Sequence, residues 1–252
     1  SSTMQDTFTY ASARPPSKEP RPVMSAHVLD NPIWESLISR HVTLALRQGE
    51  VARYPPTLAP FLGVASDGIE AGTALESLVA PGDSVFLLGP TPAVPEGWRL
   101  EKLAMLAQMV CPSRIADVDG PEIIELTEAH RANVLELTAL VYPHYFRPHT
   151  MDLGRYFGIY QEGRLAAIIG ERMGMDDWQE ISAVCTHPDF NGRGYARRLL
   201  AWLSNNTFAR GRTPFLHVSQ DNRRAKQLYE QNGYHDRREI PFWSLRRERP
   251  EP

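Results

Sequence analysis

The most informative segment of the chain covers residues 180–196 and reads EISAVCTHPDFNGRGYA. It predicts a β-strand up to Thr186, a turn that contains Gly192 and Gly194, and then a helix. Glycine lets a ligand approach the backbone closely, and the N–H groups at a helix N-terminus carry partial positive charge that favours phosphate. Residues 191–196 are therefore a candidate cradle for a pyrophosphate.

The same pattern has two other interpretations. A strand, a Gly-x-Gly turn and a helix can form a tight turn without any ligand, and these residues alone do not separate the two cases. A dinucleotide-binding turn needs a small residue where this chain has Arg197, and an acidic residue about 20 positions further on. Residues 211–213 read GRT, so the dinucleotide interpretation is excluded.

A second motif follows in residues 222–234, which read NRRAKQLYEQNGY. Together, and in this order, the two motifs resemble those of the GNAT superfamily of acyl-CoA-dependent N-acetyltransferases. The acyl-CoA motif of that family is usually written Q/R-x-x-G-x-G/A. It begins here with Asn191, so the first side chain differs while the backbone cradle is kept. The resemblance implies a GNAT fold for residues 116–249 and acetyl-CoA as the acyl donor.

The resemblance also implies which residues contact the cofactor. The backbone N–H of Val184 is expected to polarise the thioester carbonyl, and the main chain of Thr186 to bond the pantetheine arm. The complete set of implied cofactor-binding residues is Val184, Cys185, Thr186, Asn191, Gly192, Arg193, Gly194, Tyr195, Ala196, Asn222, Ala225 and Tyr229.

Two side chains are candidates for the proton transfers that acyl transfer to an amine requires. Glu180 resembles the base glutamate of histone-acetyltransferase relatives and is expected to take the amine proton through water. The alternative for Glu180 is a solvated carboxylate at the start of a strand. Tyr229 is expected to protonate the departing thiolate, because an ordinary phenol has a pKa of about 10. The alternative for Tyr229 is packing on a helix face. Glu180, Tyr229 and Val184 together form the predicted catalytic set.

A loop rich in aromatic residues covers residues 141–150 and reads VYPHYFRPHT. In GNAT-like folds the corresponding loop borders the acceptor site. Tyr142, Tyr145, Phe146 and His149 are therefore expected to shape the acceptor pocket. Packing of this loop against the N-terminal half is an equal alternative.

The remaining histidines and cysteines carry little predicted chemistry. Cys185 and His187 are two positions apart but lack the sequence context of a nucleophile and its base. His217, within an apolar strand, is expected to be a buried or site-lining residue. The histidines lack the carboxylate or cysteine neighbours of a metal site, so no metal is predicted. Cys111 and Cys185 fit buried, reduced thiols better than the one disulfide that they could form.

The order of the predicted elements gives a mixed α/β fold, with helices on both faces of a mixed sheet. Residues 1–22 predict a flexible tail. Residues 23–115 have an α/β pattern of their own, which we interpret as an N-terminal domain and a candidate degenerate half of the same fold. A break at residues 112–121 separates this domain from the GNAT domain at residues 116–249.

Charge and hydropathy restrict the partners. The net charge of −3 leaves no basic footprint of nucleic-acid binding, so no nucleic acid is expected. No apolar run reaches the roughly 20 residues of a membrane span, and we see no targeting segment. We therefore expect a cytoplasmic protein without a membrane partner, and a homodimer is compatible with these features.

The predicted activity is direct transfer of an acetyl group from acetyl-CoA to a primary amine of a small molecule or peptide. A module that binds acyl-CoA as a sensor or scaffold, without turnover, is the alternative. A third hypothesis gives residues 23–115 an interaction role separate from the enzyme. The sequence does not select the amine.

Overall fold

Residues 27–142 and 146–252 are described by a computed structural model. Their helices and strands, in chain order, are α1 (Pro32–Ile38), β1 (Leu46–Gln48), β2 (Val51–Arg53), β3 (Leu62–Val64), α2 (Gly72–Leu78), β4 (Ser84–Leu88), β5 (Trp98–Val110), β6 (Ile124–Leu126), α3 (Arg131–Val141), β7 (Tyr156–Gln161), β8 (Arg164–Gly174), β9 (Trp178–Thr186), α4 (Tyr195–Ala209), β10 (Thr213–Ser219), α5 (Arg223–Gln231) and β11 (His235–Arg247). The strand and helix expected around the glycine turn are β9 and α4.

Eight strands form the main sheet in the order β4-β11-β5-β10-β9-β8-β7-β6, and β1, β2 and β3 form a smaller sheet. β9 and β10 run parallel, whereas the other paired strands run antiparallel. The fold is therefore the mixed α/β fold that the sequence predicted.

Helices cover both faces of the main sheet. Neighbouring residues of one strand point to opposite faces, so they pack against different helices. Ile168 of β8 is buried with Val134 and Leu137 of α3. Ile169, the next residue of β8, is buried with Leu199 of α4 in a second cluster. The long apolar run of β8 is thus explained by cover on both sides.

The N-terminal half supplies two strands of the main sheet. β5 lies between β10 and β11, where Val110 is paired with both Phe215 and His235, and β4 pairs with the other edge of β11. This corrects the expectation of two separate α/β domains, because the sheet crosses the division expected at residues 115 and 116. The break at residues 112–121 is a crossing over α4, where the Ile115 N–H bonds the Asn205 side chain at 2.9 Å.

Buried hydrogen bonds fix the N-terminal half against the rest of the chain. His41 Nε2 bonds the Leu153 carbonyl at 2.8 Å, and Thr150 Oγ1 donates to the Leu58 carbonyl at 2.6 Å. A buried polar group that loses its partner costs about 1–3 kcal/mol. Separation of the two halves would therefore be penalised at several points.

A fragment that begins at residue 116 should fail to fold cooperatively, because β10 and β11 would lose β5, the strand between them. We expect no cooperative thermal transition for this fragment by circular dichroism. A fragment that begins at residue 23 is the control and should melt close to the full chain. A cooperative transition of the shorter fragment near that of the full chain would contradict the shared sheet.

Candidate active site

A wedge-shaped gap opens between β9 and β10. The two strands pair over three residues, from Thr213↔Trp178 to Phe215↔Glu180. Beyond Glu180, β9 continues along β8 while β10 continues along β5. Within the described chain no further pairing joins β9 to β10, so the facing backbone edges of both strands are open to a ligand.

Ala183 introduces a β-bulge into the open part of β9. Its φ of +52° lies in a region that residues other than glycine seldom adopt. The pairing of β8 with β9 shifts by one residue here, between Gly170↔Ser182 and Ile168↔Cys185. A bulge leaves an extra residue outside the ladder and bends the strand. The distortion falls next to Val184, at the position where the sequence predicted a carbonyl-polarising N–H.

The N-terminus of α4 has the features of an anion cradle. Gly192 and Gly194 have φ values of +79° and +77°, and a Cβ at either position would meet no atom within 4 Å. Gly194 is the N-cap residue and gives no side-chain hydrogen bond, so the first N–H groups of α4 have no partner within the helix. Arg197 and Arg224 line the cavity beside it. The helix dipole and these two guanidinium groups favour a ligand that carries phosphate.

Two cavities meet beside the gap. The outer cavity, about 600 Å³, follows the cradle, and the central cavity, about 500 Å³, lies between β9, β10 and the N-terminal half. The residues that line both cavities, which we call the junction, are Val141, Val184, Asn222, Ala225 and Tyr229. Ligands in the two cavities would come into contact at the junction.

The structure brings the predicted cofactor-binding residues together. The residues of that set that line at least one cavity are Val184, Cys185, Thr186, Asn191, Gly192, Gly194, Tyr195, Ala196, Asn222, Ala225 and Tyr229. Arg193 is the exception, because its guanidinium lies over the Phe190 ring at 4.8 Å. Sequence reasoning missed Arg197 and Arg224 as candidate phosphate ligands, although basic residues in the first turns of α4 and α5 are a readable signal.

Glu180 does not have the surroundings of the predicted base. Its buried carboxylate forms a bidentate ion pair with Arg172 at 2.5 and 2.8 Å and accepts a hydrogen bond from His217 Nδ1 at 2.7 Å. Burial alone would raise the pKa of Glu180, but Arg172 and His217 outweigh it and lower this pKa to about 2. A carboxylate bonded in this way is a poor acceptor for an amine proton. The role of base is therefore corrected, and the alternative of a solvated carboxylate is wrong as well.

His217 contacts this ion pair and lines the central cavity, which Arg172 also lines. Because Nδ1 donates to Glu180, Nε2 is the acceptor for Gln108 Nε2 at 3.0 Å. The four residues Arg172, Glu180, His217 and Gln108 form what we call the ion-pair cluster, which joins β8, β9, β10 and β5. The sequence predicted a buried or site-lining His217. It gave no sign of Arg172, whose partner lies eight residues further along on the neighbouring strand.

Tyr229 lies at the junction and is 9% exposed. Burial raises the pKa of its phenol, and the neighbouring Cys185 and Tyr142 raise it further. The hydroxyl therefore stays protonated at physiological pH and can donate to a group that gains negative charge. This setting is compatible with the acid role, which stays a prediction.

The described residues of the aromatic loop divide between the site and the core. Tyr142 lines the central cavity, as expected. Phe146 packs edge-on against Tyr156 with the ring centroids 6.0 Å apart, and His149 bonds a surface carboxylate at 3.1 Å. Neither of these two residues lines the central cavity with Tyr142, and their part in an acceptor pocket stays a prediction. Tyr145 lies outside the described residues.

Cys185 lines the central cavity but is an unreactive thiol. Burial raises its pKa to about 12, and a thiol of this kind is not a nucleophile near neutral pH. Cys111 and Cys185 are both free and buried, as predicted.

Two further features are absent from residues 27–142 and 146–252. In these ranges no three His, Cys, Asp or Glu side chains are grouped so that they could hold a metal ion. No helix in the same ranges combines the length and the apolar composition needed to cross a bilayer.

Comparison with known proteins identifies the family. The fold and the site together are those of an α/β protein whose mixed sheet opens beside a helix N-terminus and two cavities. A GNAT-family protein from Novosphingobium aromaticivorans DSM 12444 is 35% identical and superposes with a TM-score of 0.80, over 87% of this chain and 98% of that one. The chain therefore belongs to the GNAT family of acetyltransferases. The family model described as FR47-like protein matches residues 156–243.

More distant structures share the fold. A GCN5-related N-acetyltransferase from Kribbella flavida is 13% identical with a TM-score of 0.55, over 86% of this chain and 96% of that chain. A GCN5-related N-acetyltransferase-like protein from Streptococcus suis 89/1591 is 14% identical with a TM-score of 0.54, over 84% and 92%. A search of curated proteins gives no match.

Replacement of Glu180 by Gln should lower the free energy of unfolding at neutral pH by about 3–5 kcal/mol, because Arg172 keeps a buried charge without its partner. The ordinary pKa of this carboxyl is 4.5, and its pKa in the folded protein is about 2. The charged carboxylate therefore stabilises the fold above pH 4.5, and its contribution is lost as the pH falls toward 2. Urea unfolding across this window should show the difference between wild type and variant shrinking.

The matched control is Glu128→Gln, which removes a surface partner of Arg131 and should cost less than about 1 kcal/mol. A difference between wild type and Glu180→Gln that stays constant down to the lower end of the window would mean that the ion pair does not set the pKa of Glu180.

Proposed function

We propose that this protein transfers an acetyl group from acetyl-CoA directly to a primary amine. The observation that carries the proposal is the junction, where an anion-binding outer cavity meets a central cavity at Val184 and Tyr229. The membership of the chain in an acetyltransferase family supports the same reaction. The donor would lie in the outer cavity and the amine in the central cavity, so that both reactants are bound together.

The residues of the outer cavity fit the phosphate groups of coenzyme A. Unpartnered N–H groups at the start of α4 would bond the pyrophosphate, with Arg197 and Arg224 adding positive charge. The open edge of β9 from Val184 to Thr186 would bond the pantetheine arm through its main chain. Bound acetyl-CoA supplies an acyl group activated as a thioester.

At the junction the residues have separate tasks. The N–H of Val184, beside the bulge at Ala183, would stabilise negative charge on the thioester oxygen. Tyr229 would give its proton to the sulfur as the C–S bond breaks and the N–C bond forms, and the proton that the amine loses would restore the Tyr229 phenol, directly or through water. The amine loses one proton and the sulfur gains one, so the overall reaction releases none.

The amine is taken up in its neutral form. Glu180 is bonded to Arg172 and His217, so it offers no free carboxylate to an ammonium group. Burial in an apolar cavity favours the uncharged form of an amine. Reactivity should therefore follow the fraction of neutral amine in solution.

Replacement of Arg197 or Arg224 by Ala should weaken acetyl-CoA binding by about 10–100-fold, the effect of a lost charge-assisted hydrogen bond. Isothermal titration calorimetry measures this change. Arg193→Ala is the matched control, because that guanidinium lies over the Phe190 ring and Arg193 is not one of the residues that line the outer cavity. Equal weakening by all three variants, or by none, would contradict the proposed phosphate site.

Replacement of Tyr229 by Phe should lower kcat by about 10²–10⁴, the usual contribution of a general acid, while the Kd of acetyl-CoA stays unchanged. Release of the CoA thiol with an amine acceptor gives the rate. Tyr234→Phe is the control, because Tyr234 is buried beside Tyr229 but bonds Ser204 at 2.6 Å instead of lining a cavity.

The same assay separates the enzyme from a sensor. A wild-type protein that binds acetyl-CoA but releases no thiol with any amine would be a binding module, and Tyr229→Phe would then have no rate to lower.

A further inference from the structure

The wall of the central cavity on the side of the N-terminal half is entirely apolar. Its residues from that half are Ile33, Phe61, Leu88, Leu103, Ala104 and Leu106. Phe242 of β11 joins them and stacks on Phe86 with the ring centroids 5.4 Å apart. We call this set the apolar wall, and it faces the open part of β9.

A second bulge shapes the apolar wall. The pairing of β5 with β11 shifts between Phe242↔Ala104 and Trp243↔Lys102, which leaves Leu103 outside the ladder. Adjacent residues of a regular strand point to opposite faces, yet Leu103 and Ala104 both line the cavity. The bulge therefore adds apolar surface that a regular strand would have turned away.

The charge of the cavity restricts what can bind there. Among the described residues that line it, none is an Asp or a Glu. The cavity lining includes the guanidinium group of Arg172. This group is already paired with Glu180 and lies over the Phe61 ring at 4.9 Å. A buried cation without a carboxylate partner is strongly disfavoured. An acceptor with a second ammonium group would therefore be rejected.

These observations, taken with the proposed function on which the inference rests, identify the acceptor class. We propose that the acceptor is a primary monoamine on an apolar body the size of an aromatic ring, and that the apolar wall binds this body. A volume of about 500 Å³ is within the usual range for small-molecule sites.

The cavity has an opening suited to an acceptor. Leu103 is 42% exposed and lines the central cavity but not the outer one. An amine can therefore enter from the side of β5 while the outer cavity is occupied. An apolar pocket that served a long acyl chain would need no such second opening.

The first experiment compares acceptors with the full chain and acetyl-CoA. The amines are 2-phenylethylamine, ethanolamine without an apolar body, and 1,5-diaminopentane with a second cation. We expect kcat/KM for 2-phenylethylamine to exceed both others by about 10–100-fold, the effect of burying one aromatic ring. Equal or higher values for ethanolamine or the diamine overturn the proposal.

The second experiment changes the apolar wall at Ala104. Ala104→Phe fills the cavity and should raise KM for 2-phenylethylamine at least about tenfold, with the Kd of acetyl-CoA unchanged. Ala104→Asp adds the missing carboxylate and should shift the preference toward the diamine. Met105→Phe is the matched control, because Met105 is the next residue of β5 and does not line the cavity.

The remaining outcomes are distinguishable. Acetyl-CoA binding without thiol release from any amine means that the proposed function fails, and the acceptor class with it. Thiol release from polar or dicationic amines instead leaves the function standing and overturns the acceptor class. If Ala104→Phe weakens hexanoyl-CoA binding but leaves KM for the amine unchanged, the wall binds the acyl chain and the proposal is wrong. If Ala104→Phe does not fold, Phe61→Ala tests the same wall by removing one ring, with the same rise in KM expected.

Discussion

The buried ion pair between Glu180 and Arg172 fixes the place where the main sheet opens. Glu180 is the last residue of β9 that pairs with β10, opposite Phe215. Beyond it the backbone hydrogen bonds between these two strands end, and side-chain contacts link the strands instead. The carboxylate holds β8 through Arg172 and β10 through His217. A buried charge therefore links β8, β9 and β10 at the vertex of the gap.

The gap also requires that β10 has another partner. β5 provides it, and this strand comes from the N-terminal half. The same strand carries Gln108, which bonds His217, and Ala104, which lines the central cavity. One strand thus supports the sheet, closes the ion-pair cluster and forms part of the apolar wall. For this reason the N-terminal half is part of the site and not an addition to a complete catalytic domain.

The sequence predicted those parts of the site that are local and built from backbone. The turn at Gly192 and Gly194 follows from glycine spacing next to a helix, whichever side chains surround it. The role of Glu180 could not be predicted, because a carboxylate is a base or a structural anion depending on Arg172, which lies across the sheet. The apolar wall left no signal either. In the sequence, Ala104 cannot be distinguished from other strand residues, because it lines the cavity only through the pairing of β5 with β10.

This division has a consequence for how the two substrates are recognised. In the proposed function the outer cavity would bind the donor by helix N–H groups and by arginines, which suit any ligand with the same phosphates. The central cavity is defined by side-chain volume and by the absence of acids among its described residues. A change at Ala104 alters that volume without touching Glu180 or the cradle. Under the proposed function, acceptor preference could therefore vary among proteins with this arrangement while donor binding is kept, because no residue of the apolar wall lines the outer cavity.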